Sequence, residues 1–273
     1  MNKLDLQQIW RLVTYGENGF PASEAQKTVR NHTVFAAIIT LAYFISVFSL
    51  KFVMRNREPL KLDRALQVWN LIISIFSIVA SFKLWFPSFE FIRRDGFMVG
   101  FQCKSLSKMS TSQEYWFYLL VLSKAVEFID TFFIVLRKKP LIFLHWYHHM
   151  ATFMFCVYQY PLPSSQFRAG GIINVAVHAV MYPYYFARSL HFRVPGIVAK
   201  LVTSLQLVQF LSFLIGSIYH YYVYYFLDVY PCDSSIIQVH TSTFLNSSYF
   251  LLFANFFFKS YIVKGGKNKY KSE

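Results

Sequence analysis

Charge is scarce in this chain. Only 15% of its 273 residues are Asp, Glu, Lys or Arg. Acidic residues are the scarcer kind, 13 against 27 Lys and Arg, which leaves a net charge of +14. Cysteine is scarce too, and three residues exclude a disulfide-built scaffold. No internal repeat, low-complexity linker or cleavable signal peptide is visible. Residues 1–32 are polar, so the first apolar segment is expected to serve as its own insertion signal. What the chain has instead is apolar and aromatic mass: 55% hydrophobic residues, with 31 Phe and 19 Tyr. That excludes disorder and argues against an ordinary soluble domain. A single membrane-embedded domain over residues 1–273 fits best. In a soluble protein the basic excess would suggest nucleic acid. In an apolar chain it marks cytoplasmic loops and sites for anionic ligands, and no nucleic-acid partner is expected.

A membrane span needs roughly 20 mostly apolar residues. Seven segments qualify: 34–53, 65–86, 115–136, 141–160, 170–187, 198–226 and 236–263. The first two and last two are clear, and the third to fifth carry more polar residues. The expected class is therefore an all-α membrane protein with seven transmembrane helices. Seven spans put the termini on opposite sides. A cytosolic C-terminus places fifteen Lys and Arg on the cytosolic side and nine on the other, with Lys83, Lys124 and Lys259 inside spans. The positive-inside bias favours that orientation. Residues 1–33 then form a luminal N-terminus, 34–263 the seven-span bundle and 264–273 a cytosolic tail.

This topology puts Cys103 and Cys232 in two luminal loops. An oxidising lumen predicts a disulfide between them, against the alternative of two free thiols. Cys156 lies in the fourth span as an apolar filler. Asn31-His32-Thr33 is a luminal glycosylation sequon close to the first span. Asn246-Ser247-Ser248 matches the same pattern inside the seventh span and is read as a chance match.

Ionisable groups inside spans are costly and usually face a bundle interior or a cavity. Lys124, Glu127 and Thr131 share one helical face of the third span, with Asp130 at its edge. A structural Lys124–Glu127 ion pair explains that face as well as a functional role does. The fourth span opens His145-Trp146-Tyr147-His148-His149, and offsets of three and four bring all three histidines to one face. Such a cluster points to metal binding or to acid–base and nucleophilic work, and does not choose between them. The fifth span carries Asn174, His178, Tyr182 and Tyr185 at helical spacing, with Pro183 expected to kink it. The sixth has Thr203, Gln206 and Gln209 at three-residue steps. Taken singly, the last two stripes read as interhelical hydrogen bonding. Four consecutive spans that each offer a polar face argue for one shared interior cavity.

Lys124-x-x-Glu127-x-x-Asp130-Thr131, the histidine box, Asn174-x-x-x-His178-x-x-Met181-Tyr182-x-Tyr184-Tyr185 and Thr203-x-x-Gln206-x-x-Gln209 together resemble the fatty acid elongases, the 3-ketoacyl-CoA synthases of the endoplasmic reticulum. The resemblance runs from about the first span to the C-terminus. Residues 141–149, LIFLHWYHH, are similar to the animal branch acting on saturated and monounsaturated chains. Relatives acting on polyunsaturated chains typically carry Gln five positions before the first histidine, where this chain has Pro140.

The resemblance implies six helices around a substrate tunnel open to the cytosol. It implies a condensation of a long-chain acyl-CoA with malonyl-CoA that yields 3-ketoacyl-CoA, carbon dioxide and CoA. No bound cofactor or metal is expected, and malonyl-CoA is the co-substrate. No cysteine lies in the cluster, so an imidazole nucleophile replaces the acyl-cysteine route. His148 is expected to carry the acyl group, His145 and His149 to orient it, move protons or bind the thioester carbonyl, and His178 to assist across the tunnel. Lys124, Asn174 and Gln206 are candidate donors to substrate or enolate. Glu127 and Asp130 would fix Lys124 and the histidine tautomers, and Tyr182, Tyr185 and Gln209 complete the polar lining.

Arg137, Lys138, Lys139, Arg188 and Lys259 are expected at the mouth as partners of the CoA phosphates, although each also reads as a topology signal. Tyr158, Tyr160, Phe210 and Phe213 are candidates for closing the far end, which would set the maximum chain length. Lys269 and Lys271 form a K-x-K-x-x ending similar to endoplasmic reticulum retrieval signals. Membrane lipid and the ketoacyl reductase, dehydratase and enoyl reductase of an elongation cycle are the expected neighbours. A homo-oligomer is compatible with the sequence but not read from it.

Two rivals remain at this level. A membrane di-iron desaturase or hydroxylase also uses HxxHH boxes, but needs several to supply two irons. Here His32, His191, His220 and His240 are isolated. A non-enzymatic seven-span receptor or transporter explains the span count but not the convergence of histidines with Lys, Glu and Asp.

Overall fold

The computed structural model of the chain describes residues 3–104, 109–227 and 230–263, with side chains from residue 7 onward. Among the described residues no β-strand forms, and one isolated antiparallel bridge joins Ser164 to Ser234. The described residues form ten α-helices in order: α1 (Lys3–Tyr15), α2 (Ala22–Asn31), α3 (Thr33–Val53), α4 (Asp63–Asp95), α5 (Thr111–Val126), α6 (Phe128–Leu136), α7 (Phe143–Gln159), α8 (Ser165–Ser189), α9 (Gly196–Phe226) and α10 (Ile236–Phe257). Each predicted apolar segment is helical over most of its length.

Among the described residues three helical stretches are long and apolar enough to cross a membrane: Thr33–Asn56, Asp63–Cys103 and Gly196–Phe226. Their surfaces are wet in apolar side chains rather than polar ones. Val34, Ile38 and Leu41 on α3, Ile72 and Phe82 on α4, and Leu201 and Val208 on α9 all stand exposed, which suits lipid rather than water. The other helices are shorter or more polar. α5 has 16 residues, α6 only 9 and α7 17, and α8 and α10 carry polar residues along their length.

Three details differ from the sequence expectation. Residues 87–103 were expected as loop, yet α4 runs through Pro87 to Asp95 and continues as a π-helical turn over Gly96–Cys103. Near that proline, Ser88 Oγ donates back to Leu84 O. The third apolar segment is not one helix but two, because the chain tightens at Glu127. Asp130 N donates to Glu127 O at 3.1 Å, a three-residue turn inside a four-residue ladder. Finally, residues before the first span fold into α1 and α2.

Glu17, in the turn between α1 and α2, anchors this N-terminal pair to the bundle. Its carboxylate accepts from Lys83 Nζ at 2.7 Å, Ser112 Oγ at 2.6 Å and Trp116 Nε1 at 2.8 Å. The Lys83 bond first, then those from Ser112 and Trp116, lower its carboxyl to about 2. Arg30 at the end of α2 donates to Pro161 O at 2.9 Å.

The two ends of the bundle are chemically distinct. At one end lie α1, α2 and the bond between Cys103 and Cys232. At the other, Arg137 pairs with Asp63 at 2.8 Å, and Arg188, His191 and Arg193 gather where α8 gives way to α9. Along the bundle α4 packs on α8, α9 on α10, and α3 on α6 and α7. Asn31 is the last, exposed residue of α2. Asn246 lies within α10, where its Nδ2 donates to Ser242 O at 2.8 Å. Lys269 and Lys271 lie outside the described residues.

Candidate active site

The break at Glu127 turns its carboxylate toward the helix it follows. Glu127 Oε1 accepts from Ser123 Oγ at 3.0 Å and from Lys124 Nζ at 2.8 Å. Lys124 and Glu127 are both buried, and a buried charge persists only when paired and hydrogen-bonded. Lys124 Nζ also donates to Asn174 Oδ1 on α8 at 2.9 Å. With its oxygen thus occupied, the Asn174 amide turns its Nδ2 toward His178 Nε2 at 3.4 Å and Gln209 Oε1 at 3.5 Å. His178 Nδ1 lies 3.8 Å from Glu127 Oε1. One polar network therefore links α5, α8 and α9.

Asp130, expected to act on Lys124 and the histidines, is held elsewhere. Its two oxygens accept from Trp69 Nε1 at 2.6 Å and Tyr182 OH at 2.8 Å. Thr131 bridges Tyr43 OH at 2.8 Å and His145 Nε2 at 3.0 Å, so the first box histidine is positioned by α6 and α3. The rings of His145 and His149 lie tilted against each other with centroids 4.5 Å apart. His148 sits among aromatic rings, with Tyr249 at 4.8 Å and Phe253 at 5.9 Å. Tyr249 OH bonds Thr152 Oγ1 at 2.9 Å and donates to the carbonyl of His148 at 3.4 Å. Among the described residues no side chain hydrogen-bonds the His148 ring.

Two cavities meet at this point. The wide one, about 860 Å³, is lined by His145, His148, His149, His178, Asp130 and Tyr182, and reaches Arg137, Lys139, Arg188, His191 and Arg193. The narrow one, about 70 Å³, is mostly apolar, with Phe117, Phe167 and Phe213 in its lining. His148, Asn174, Gln209 and Phe210 line both. The lining comes from α4 through α10, and α3 contributes no residue to either. His148 is thus the histidine that faces both a basic-rimmed chamber and an apolar one.

Most sequence-predicted site residues converge here: Lys124, Glu127, Asp130, the three box histidines, Asn174, His178, Tyr182, Tyr185, Gln206 and Gln209. Gln206 lines the wide cavity with its Nε2 on Met181 Sδ at 3.1 Å, and Tyr185 is partly exposed at its edge. Two expected mouth residues do not line it. Lys138 donates to Arg55 O at 3.3 Å and Arg57 O at 3.0 Å, fastening one loop to another. Lys259 lies exposed on the π-helical turn Phe258–Ile262. Of the four aromatic residues considered for the closed end, Phe210 and Phe213 line the narrow cavity. Tyr158 is exposed, and Tyr160 is buried beside Arg168 instead.

Sequence reasoning missed Tyr43, Trp69, Tyr249, His191 and Arg193. The first three are aromatic residues in apolar runs, and nothing local marks their hydroxyl or indole as a partner to a group tens of residues away. It also placed Arg168 in a loop. Arg168 is 0% exposed, pairs with Glu114 at 3.0 Å and lies over the rings of Phe117 and Tyr160 at 4.6 and 4.9 Å. Among the described residues no group of three or more His, Cys, Asp or Glu side chains is arranged to hold a metal ion.

Comparison with known proteins identifies the family. Residues 28–269 match the model of the ELO family, described as the GNS1/SUR4 family. A long chain fatty acid elongase 1 of Caenorhabditis elegans is 38% identical over 270 residues, covering 99% of this chain and 93% of the relative. A very long chain fatty acid elongase 3 of Mus musculus is 30% identical over 277 residues, 99% of this chain and 96% of the relative. A very long chain fatty acid elongase 6 of Homo sapiens is 32% identical over 257 residues, 91% and 92% respectively. With a family match across most of its length and relatives at 30–38% identity over nearly the whole chain, the chain belongs to the GNS1/SUR4 (ELO) family.

Proposed function

We propose that the protein is the condensing enzyme of fatty acid elongation, joining a long-chain acyl-CoA to malonyl-CoA to give 3-ketoacyl-CoA, carbon dioxide and CoA. The observation that carries this reading is the position of His148 between a wide basic-rimmed cavity and a narrow apolar one. A substrate with an anionic head and an apolar tail fits that polarity, with its thioester at the histidine.

The proposed reaction has two stages. A His148 ring nitrogen attacks the thioester carbonyl, a C–N bond forms, the C–S bond breaks, and CoA leaves as a thiolate that takes up a proton. Malonyl-CoA then loses carbon dioxide, and the electron pair of that C–C bond passes to an enolate. The enolate carbon attacks the acyl carbonyl, a C–C bond forms and the C–N bond to His148 breaks, regenerating the imidazole. Asn174 Nδ2 is the donor best placed for the developing oxyanion, oriented by Lys124 and supported by Gln209. His178, next to Glu127, serves proton movement on the same side. Arg188, Arg193, His191, Arg137 and Lys139 bind the CoA phosphates.

The same reading assigns seven spans, counting α5 and α6 as one, with six of them around a tunnel made of the two cavities. It places the protein in the endoplasmic reticulum membrane, with N-terminus luminal, C-terminus cytosolic and Lys269 and Lys271 as retrieval signal. Saturated or monounsaturated acyl chains are the favoured substrates, given Pro140. The other three enzymes of the cycle act as neighbours. The test is purified protein with long-chain acyl-CoA and malonyl-CoA. Appearance of 3-ketoacyl-CoA, reduced about 10³-fold or more in His148→Ala, supports the assignment. An iron-dependent desaturated or hydroxylated product instead overturns it in favour of the desaturase reading.

A further inference from the structure

Along α8 the narrow cavity runs from Asn174, which it shares with the wide one, past Gly171 and Gly170 to Phe167 and Gln166 on the first turn, and we take these as its floor. That turn hangs from a segment outside the apolar helices. Ser165 N donates to Asp233 O at 2.9 Å, and Gln166 N donates to Ser234 Oγ at 3.4 Å. Asp233 N in turn donates to Cys103 O at 2.8 Å, and Cys103 is bonded to Cys232. The residue that caps α8, Ser164, takes part in the bridge to Ser234 and accepts from Phe167 N at 3.2 Å. From the disulfide to the cavity floor there is thus an unbroken run of hydrogen bonds.

The floor has no slack of its own. A Cβ on Gly171 would lie 2.5 Å from Phe117 Cε2, and one on Gly170 would lie 3.2 Å from Phe213 Cε1. Phe117 cannot swing away freely, because the buried Arg168 guanidinium covers its face at 4.6 Å. The height of the floor therefore follows from where the first turn of α8 is held. In close-packed interiors a shift of even one methylene is felt.

We propose that the strap made by the Cys103–Cys232 disulfide, Asp233 and Ser234 is the positioning element of the acyl-chain stop, so that residues at and beyond the span ends fix the longest chain the cavity accepts. This rests on the elongase reading above. The strap residues touch neither substrate nor the reacting atoms. They act through Gln166, Phe167 and the two glycines.

The test is the product ladder of the purified protein with malonyl-CoA and a series of saturated even-carbon acyl-CoA primers. Cys103→Ser is expected to move the longest accepted primer up by at least one elongation cycle. Its rate on that primer, relative to a short one, should rise about tenfold. Ser234→Ala, which keeps the disulfide, moves the limit the same way by less, and it decides the matter if Cys103→Ser is not recovered folded. Gly171→Ala, which crowds the same floor, lowers the limit. An unchanged ladder in folded Cys103→Ser or, failing that, in Ser234→Ala overturns the proposal while leaving the elongase reading intact. Absence of 3-ketoacyl product from every primer with the unsubstituted protein overturns both.

Discussion

Lys124 donates to the side-chain oxygen of Asn174 across 2.9 Å, and that single bond decides which way the Asn174 amide faces. The nitrogen is left pointing to His178 and Gln209, at the junction of the two cavities. Asn174→Asp keeps the size and the bond to Lys124 but removes the donor. The expected result is a fall in kcat of about 10²-fold or more with a smaller change in KM, the pattern of a lost transition-state donor. Steady-state kinetics with both substrates checks it.

Lys124 and Glu127 form a buried ion pair at 2.8 Å, each about 5% exposed. Such a pair is costly to break from one side. Glu127→Ala should lower stability by about 3–5 kcal/mol, because Lys124 is left charged and uncompensated. Replacing both, as Lys124→Met with Glu127→Leu, should restore much of that loss while activity stays low. Thermal unfolding in detergent of the two singles and the double closes the cycle.

Arg188 lines the wide cavity at its exposed rim. Arg188→Ala should raise KM for the acyl-CoA about tenfold with little change in kcat, since the phosphates are bound equally in ground and transition states. The difference should shrink at high ionic strength, where exposed charges are screened.

Glu17 ties the α1–α2 turn to the bundle through Lys83, Ser112 and Trp116, and those bonds lower its carboxyl to about 2. A depressed carboxyl contributes its stability above the unfolded value and loses it as pH falls toward the folded one. The anchor is therefore complete at neutral pH and weakens only in acid, between the ordinary carboxyl value of 4.5 and about 2. Glu17→Gln should mimic that loss at neutral pH. Limited proteolysis within residues 16–21 is expected to run about fivefold faster, the equivalent of ~1 kcal/mol.

The long apolar runs and the histidine box were legible in the sequence because both rest on local spacing. Helical periodicity suffices to put His145, His148 and His149 on one face and to pick out Asn174, His178 and Tyr182. It does not show the tightened turn at Glu127, which separates the tasks of Glu127 and Asp130. One carboxylate holds Lys124 and the other holds Trp69 and Tyr182. Partners such as Tyr43 for Thr131 lie 88 residues apart, and only the packing of α3 on α6 brings them together. Charge was the least reliable guide. Lys138 and Lys259 were both expected at the mouth, and Arg168 falls between the fourth and fifth expected spans, yet one fastens a loop, one is exposed on a terminal turn, and one is fully buried between rings.

The central claim is that His148 carries the acyl group between the two half-reactions. Purified protein incubated with a long-chain acyl-CoA in the absence of malonyl-CoA tests it directly. The account predicts release of free CoA and an acyl mass on the peptide 141–150, located on His148 and absent from His148→Ala. No CoA release and no acylated peptide, with 3-ketoacyl product forming once malonyl-CoA is added, would contradict it and leave the histidines as bases in a ternary complex.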